Sequence, residues 1–363
     1  MVKKTIAMKI LFGVFDWGLG HATRDLPLIK ALLDRGDEVH IISTGRALIL
    51  LRNHFKGRCA YFDVPSLHSV YNSKYLFKVN FALSAYKIVK SQKIAKEKSR
   101  NIISEGNYDK VISDCRFDVY DKLENSYLIN HQLRLHAPFG SERILEIWMR
   151  HQTKHFGCLL VPDFEDPNLT GRLSRDLRYV DENKIRYIGI LSQLKKKNVD
   201  KDIDYFISLS GPEKTRKDLL AKLIKQRSAF SGKVIVAGGT PENKDLHHFD
   251  NIEFHGFLDA RQQEEFMNRA KFVIIRAGYT TIMELIELDI RDALLIPSPG
   301  QSEQVNISKD CDKKNIFHYV SQRKLDLFKD LKSCCGFNGF AAPWKTQESV
   351  KKFLDIINNS SNF

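Results

Sequence analysis

The side chain best placed for chemistry in the N-terminal half is His21. It stands in Asp16-Trp17-Gly18-Leu19-Gly20-His21-Ala22-Thr23-Arg24, between an apolar run and a segment of helical period. Gly18 and Gly20 let backbone approach a ligand closely, and a helix N-terminus favours polar or anionic groups. The positive end of a helix also lowers an imidazole pKa, and a neutral histidine near pH 7 is a general base. Asp114 ends the run Val111-Ile112-Ser113-Asp114. A carboxylate there can accept His21 Nδ1–H, fix the tautomer and stabilise the imidazolium. His131 follows the run 127–130 and is a third polar group at the same edge. The plainer readings are a loop-packing His21, a turn-capping Asp114 and a structural His131.

A second candidate lies in Leu209-Ser210-Gly211-Pro212-Glu213, again between a strand-like run and a helix start. Backbone N–H groups and the Ser210 hydroxyl there suit a phosphate. The first loop does not suit a dinucleotide. A third glycine is due near position 23, which is Thr23, and the second strand ends Ser43-Thr44 rather than in Asp or Glu.

These loops need scaffolds. Short apolar, β-branched runs at 8–14, 39–42, 110–113, 127–130 and 158–161 alternate with helix-period segments. The first of those segments, 23–35, ends at Gly36, a natural C′ stop. The polar stretch 162–184, with Pro162, Pro167 and Gly171, interrupts the series as a junction does. A second series follows, with strands at 205–209, 234–236, 252–254, 272–275 and 294–296. Fully apolar strands alternating with helices predict parallel sheets covered on both faces. The expected fold class is therefore α/β. It comprises two Rossmann-like, doubly wound domains, with ligands at the carboxyl ends of the strands. The expected divisions are 1–189, 190–343, and a final amphipathic helix in 344–363 packing back on the first domain.

The chain has 363 residues, 43% hydrophobic and 28% charged. This composition excludes disorder, collagen-like repeats and a disulfide scaffold. Six scattered cysteines form no CxxC and no zinc spacing, so they read as reduced thiols of a cytoplasmic protein. No signal-peptide pattern or 18-residue apolar run is present. The net charge is +13, and residues 1–190 hold +9 of it. Residues 74–100 alone carry Lys74, Lys78, Lys87, Lys90, Lys93, Lys96, Lys98 and Arg100 against Glu97. Such a polybasic stretch suits anionic lipid headgroups, and its plainer reading is a solvated helix face. Charge alone, without a motif, does not argue for nucleic acid.

The stretch from His255 carries a resemblance. It reads His255-Gly256-Phe257-Leu258-Asp259, then Arg276-Ala277-Gly278-Tyr279-Thr280-Thr281-Ile282-Met283-Glu284, then Ile296-Pro297-Ser298-Pro299-Gly300-Gln301-Ser302-Glu303-Gln304. This combination resembles the nucleotide-sugar site of GT-B glycosyltransferases. It is similar above all to the family 28-like group of the lipid II-forming N-acetylglucosaminyltransferase. The resemblance implies two domains facing across a cleft. It also implies an inverting, metal-independent transfer from a nucleotide-sugar, with UDP expected, to an acceptor hydroxyl, His21 and Asp114 being catalytic.

In that reading Glu284 meets the ribose hydroxyls and the backbone at Leu258, beside Phe257, meets the base. Ser210, Gly211, Gly278, Tyr279, Thr280 and Thr281 lie about the diphosphate, with Arg276 at the strand end supporting the loop. Gln301 and Gln304 reach the sugar. Gly18, Gly20 and His131 belong to the acceptor side. The physics agrees for Glu284: it lies one helical turn past the Gly278 loop, and one carboxylate accepts from two vicinal hydroxyls.

The nucleotide-sugar is a co-substrate, so no cofactor or metal is expected. Expected partners are that donor, a lipid-linked or glycan acceptor, and an anionic membrane surface touched peripherally at its inner face. Two rivals remain open: a nucleotide-sugar 2-epimerase of the same fold, and a non-catalytic nucleotide-sugar or nucleic-acid binder.

Overall fold

A computed structural model describes residues 7–66, 81–135, 142–240 and 245–359. Lys74 and Lys78 of the polybasic stretch lie outside these residues. The chain divides into two compact units. The first comprises Met1–Asp166, Arg172–Leu191 and Trp344–Phe363, and the second Pro167–Gly171 and Ser192–Pro343.

The first unit holds strands β1 (Lys9–Val14), β2 (Glu38–Ser43), β3 (Ala60–Asp63), β4 (Lys110–Asp114), β5 (Ser126–Ile129), β6 (Cys158–Val161) and β7 (Ile185–Tyr187). Its helices are α1 (Gly20–Arg35), α2 (Gly45–Phe55), α3 (Phe81–Gly106), α4 (Glu142–Thr153) and, late in the chain, Thr346–Asn358. The strands are all parallel, in the order β3-β2-β1-β4-β5-β6-β7. The strand order reverses between β1 and β4, which opens a crevice outside their carboxyl ends. Ile10, Leu11, Phe12, Val111 and Ile112 on these two strands are fully buried, as a sheet covered on both faces requires. Helix α1 stops where Gly36, at φ 96°, turns its N–H back to the carbonyls of Leu32 and Leu33.

The second unit repeats the plan. Its strands are β8 (Ile203–Ser208), β9 (Val234–Ala237), β10 (Leu246–Phe249), β11 (Ile252–His255), β12 (Ala270–Ile275), β13 (Ala293–Leu295) and β14 (His318–Tyr319). They run in the order β10-β11-β9-β8-β12-β13-β14, and β10 alone is antiparallel to its neighbour. The order reverses between β8 and β12. Helices α5 (Glu213–Lys225), α6 (Ala260–Arg269), α7 (Tyr279–Glu287), α8 (Ser302–Lys313) and α9 (Leu327–Ser333) complete this unit; Thr346–Asn358 is α10.

The central strands fall within a residue or two of the sequence expectation. The edge strands β3, β7, β10 and β14 were not foreseen, because none carries a continuous apolar run: β10 is Leu-His-His-Phe and exposed throughout. The polar stretch 162–184 also differs from a plain junction. Asp163, Phe164, Leu173 and Ser174 are buried, and Arg175 pairs with Asp163 at 3.2 Å. Only Pro167–Gly171 of it belongs to the second unit.

Candidate functional site

The first unit's site is built across the β1/β4 crevice. Val14 and Asp114 lie side by side at the ends of β1 and β4. The chain leaves β1 through Gly18, whose φ of 71° suits glycine, and enters α1 at Gly20. His21 Nδ1 lies 2.9 Å from Asp114 Oδ2. Asp114 is fully buried, and His21 keeps 16% side-chain exposure. With Nδ1–H donated to Asp114, Nε2 is the ring's acceptor.

Arg24 completes the cluster, and the sequence reading had given it no role. It lies three residues after His21, on the same helix face. Its Nε donates to Asp114 Oδ2 at 3.0 Å, and its Nη2 donates to Asp114 Oδ1. Its Nη1 donates to His131 Nδ1 at 3.1 Å, which makes that nitrogen an acceptor. The signal was present in the sequence as a His-x-x-Arg pair at a helix start, but only the fold supplies Asp114 and His131 as its partners.

The electrostatics follow from this geometry. Burial lowers the His21 pKa below its ordinary 6.5, Asp114 opposes that, and Arg24 adds to it. The imidazole is therefore neutral at pH 7, chiefly through burial. Arg24 and His21 hold the Asp114 carboxyl well below the usual carboxylate range. Asp25, fully buried beside them, is pushed well above its ordinary value by burial and then by the Asp114 charge. One cation and one anion thus remain buried together, which is tolerable only because they are paired.

His21, Asp114 and Cys115 also bring three potential metal ligands within 4.8 Å of one another. They do not fit a cation: Arg24 engages both Asp114 oxygens, and burial raises the Cys115 thiol well above its usual value.

Trp17 is a second residue that the sequence reading passed over. It is 58% exposed, its ring lies edge-on to Phe15 at 6.4 Å, and Phe15 lies edge-on to His21 at 5.3 Å. An indole so placed is an apolar platform beside His21. A separate hollow of about 710 Å³ in this unit, lined by Arg175, Tyr187, Trp344 and Lys352, includes none of these residues.

The second unit's candidate residues gather across the β8/β12 crevice. Ser210 and Gly211 follow β8 and are exposed. Gly211 has φ 91°, and a Cβ there would lie 3.0 Å from Ser298 Oγ. Arg276 follows β12 and is buried. It donates to Gln322 Oε1 at 2.8 Å, to the Thr215 carbonyl at 2.7 Å and to the Ile296 carbonyl at 3.3 Å. Burial lowers its pKa to about 10, so it stays charged and braces three segments.

Gly278 is the N-cap of α7, and Tyr279, Thr280 and Thr281 form that helix's first turn. Glu284 lies further along α7, only 5% exposed. Burial raises its pKa to about 8, and Gln263 Nε2 of α6 donates to it at 3.2 Å. Phe257 and Leu258 lead into α6, which opens with a capping box between Asp259 and Gln262. Gln304 accepts from the Ser298 N–H at 2.8 Å and donates to Gln301 Oε1 at 3.3 Å. Gln263 and Ser298 are further residues the sequence reading did not assign.

Comparison with known proteins places both units. A chain of two doubly wound sheets, each with its loops at a strand-order reversal, has the GT-B architecture. Solved structures agree in fold. MurG of Acinetobacter baumannii is 11% identical with a TM-score of 0.58, the match covering 96% of this chain and 99% of that one. The spinosyn rhamnosyltransferase SpnG complexed with thymidine diphosphate is 13% identical, with a TM-score of 0.59 and 96% coverage of both. A putative UDP-N-acetylglucosamine 2-epimerase of Listeria monocytogenes is 12% identical, with a TM-score of 0.60, covering 97% of this chain and 96% of that one. Residues 8–133 match the model of glycosyl transferase family 1, and residues 221–359 that of the glycosyltransferase family 28 C-terminal domain. The chain has the GT-B fold, its N-terminal part matching glycosyl transferase family 1 and its C-terminal part the family 28 C-terminal domain. No curated protein sequence matches it.

Proposed function

We propose that the protein transfers a sugar from a nucleotide-sugar, UDP-linked by preference, to an acceptor hydroxyl, with inversion and without a metal or other cofactor. The observation that carries this reading is the His21–Asp114 hydrogen bond of 2.9 Å at a strand-order reversal, with Arg24 holding Asp114. His21 Nε2 takes the acceptor's hydroxyl proton as its oxygen attacks the anomeric carbon. The bond from that carbon to the diphosphate oxygen breaks, the configuration inverts, and the nucleoside diphosphate leaves with the electron pair. The imidazolium that forms is stabilised by Asp114.

On the donor side, Glu284 accepts from the ribose hydroxyls and the Leu258 backbone meets the base. N–H groups after Gly211 and Gly278 hold the diphosphate, a charge stabilisation that needs no metal. Gln301 reaches the sugar, and Gln304 holds the loop beside it. The acceptor is a lipid-linked or other glycan, and the basic charge of the sequence 74–100 favours an anionic membrane as a peripheral partner.

A thermal-shift screen of nucleoside diphosphates and their sugars tests the donor site, because a bound ligand raises apparent stability. A UDP response abolished by Glu284→Ala supports the assignment, and no response to any nucleotide refutes it. Incubation with donor alone separates transfer from epimerisation, since a 2-epimerase alters the sugar without an acceptor.

A further inference from the structure

Helix α1 turns three polar side chains toward Asp114. His21, Arg24 and Asp25 stand at i, i+3 and i+4, which places them on one face. His21 and Arg24 have the partners described above, whereas the transfer chemistry gives Asp25 no task. Asp25 is nevertheless fully buried, and neither of its oxygens meets a donor among the described residues. A carboxylate in that position would have lost its hydration and received nothing in return.

The cluster already holds one anion. Asp114 accepts from His21 Nδ1–H and Arg24 Nε at Oδ2, and from Arg24 Nη2 at Oδ1. One carboxylate offers about four lone-pair sites, which leaves room for a further donor, and Asp25 lies within hydrogen-bonding reach. Two carboxyl groups in contact inside a protein do not both ionise. Asp114 is the one that does, because His21 and Arg24 donate to it, while Asp25 has no donor of its own. The upward displacement of the Asp25 pKa, by burial and then by the Asp114 charge, agrees. The charged and titratable groups that face Asp25 are Arg24 on its own helix, Asp114 at the end of β4 and Cys115 just beyond it. His131, after β5, joins the cluster through Arg24.

We propose that Asp25 is a positioning residue: its carboxyl keeps its proton and donates the O–H to Asp114, which then serves His21, Arg24 and Asp25 together. The O–H draws off charge that would otherwise pull on the His21 ring. Asp114 therefore stays an anion able to orient the imidazole, yet holds an imidazolium less strongly, and His21 stays neutral. An ionised Asp25 would do the opposite, adding a second anion beside the ring and raising its affinity for a proton. The consequence for transfer rests on His21 as the base, whereas the place of the proton does not.

The test reads the protons directly, in the full chain with no donor or acceptor present, so its outcome is independent of whether sugar transfer is the reaction. Magnetic resonance of protein isotope-labelled at the aspartate carboxyl carbons shows one aspartate with the chemical shift of a neutral carboxyl at pH 7, absent from Asp25→Asn. Glu284 carries no such label. A histidine-labelled sample, with His21→Gln to assign the signals, follows the imidazole titration. Asp25→Leu removes the donor, leaves Asp114 its full charge and raises the proton affinity of His21 about three- to tenfold. Asp25→Asn keeps an N–H donor and restores most of the wild-type titration. If the leucine variant does not fold, the aspartate signal and the asparagine titration still decide. An ionised Asp25 in the wild type, a lower His21 proton affinity in either variant, or leucine and asparagine variants that titrate alike overturns the proposal.

Discussion

Glu284→Gln separates the binding role of this residue from its effect on stability. In the empty site the carboxyl titrates at about 8, against an ordinary value of 4.5. Below pH 4.5 both folded and unfolded chains are protonated and there is no cost. As pH rises, the unfolded chain ionises first, so native stability falls by about 1.4 kcal/mol per pH unit until pH 8. By pH 7 the accumulated cost is about 3 kcal/mol. Glutamine has no such cost, so Glu284→Gln raises the melting temperature of the empty protein at pH 7 to 8 and leaves it little changed near pH 5.

Nucleotide binding moves the other way. Ionising Glu284 at pH 7 costs about 1.4 kcal/mol, and two ribose hydroxyls donating to a carboxylate return about 1.5–3 kcal/mol each. Glutamine keeps one neutral acceptor, worth about 0.5–1.5 kcal/mol. The difference centres near 2 kcal/mol, about thirtyfold in UDP affinity. Wild-type protein also releases nearly one proton on binding UDP at pH 7, and its affinity rises up to about tenfold from pH 6 to 7. The assay is titration calorimetry in two buffers of different ionisation enthalpy. A phosphate's own titration near pH 6 is common to both proteins and cancels in the comparison. Equal affinities, or equal proton release by the two proteins, refute the ribose assignment.

Four further expectations concern the first unit. His21→Ala lowers transfer by about 10²–10⁴-fold while leaving UDP affinity unchanged, measured by initial rates and calorimetry. Because His21 must be neutral and its pKa lies below 6.5, wild-type kcat/KM falls on the acid side with an apparent pKa below that value. Arg24→Met leaves the buried Asp114 charge without its cation and costs about 3–5 kcal/mol, read by denaturant unfolding. It also removes a charge that depresses the His21 pKa, so the acid limb moves to higher pH. Trp17→Ala raises the acceptor KM and leaves the donor KM unchanged, whereas Trp17→Phe restores most of the loss, as an apolar platform requires.

Much of this was legible in the sequence because it rests on local signals. The apolar runs that became β1, β4, β8 and β12 cannot face water, and two helix-separated series of them imply two parallel sheets. Gly36 carries its own stop signal, since a positive φ suits glycine. Asp114 ends a strand, Gly278 follows one, and His21 and Glu284 stand on the helices that come next, places set by chain order. The edge strands were illegible because a strand of two to four residues without an apolar run has no periodicity to detect.

The partnerships needed the tertiary structure. Ninety-odd residues of intervening chain say nothing about Arg24 and His21 sharing Asp114, because parallel register alone sets Val14 beside Asp114. Burial is likewise a property of the fold. His21 is neutral chiefly because it is enclosed, more than because it opens a helix, and Glu284 holds its proton for the same reason. The sequence by itself determined which chemical groups stand at the strand ends. Packing decided which of them touch and which remain charged, because desolvation and pairing depend on neighbours that only the folded chain supplies.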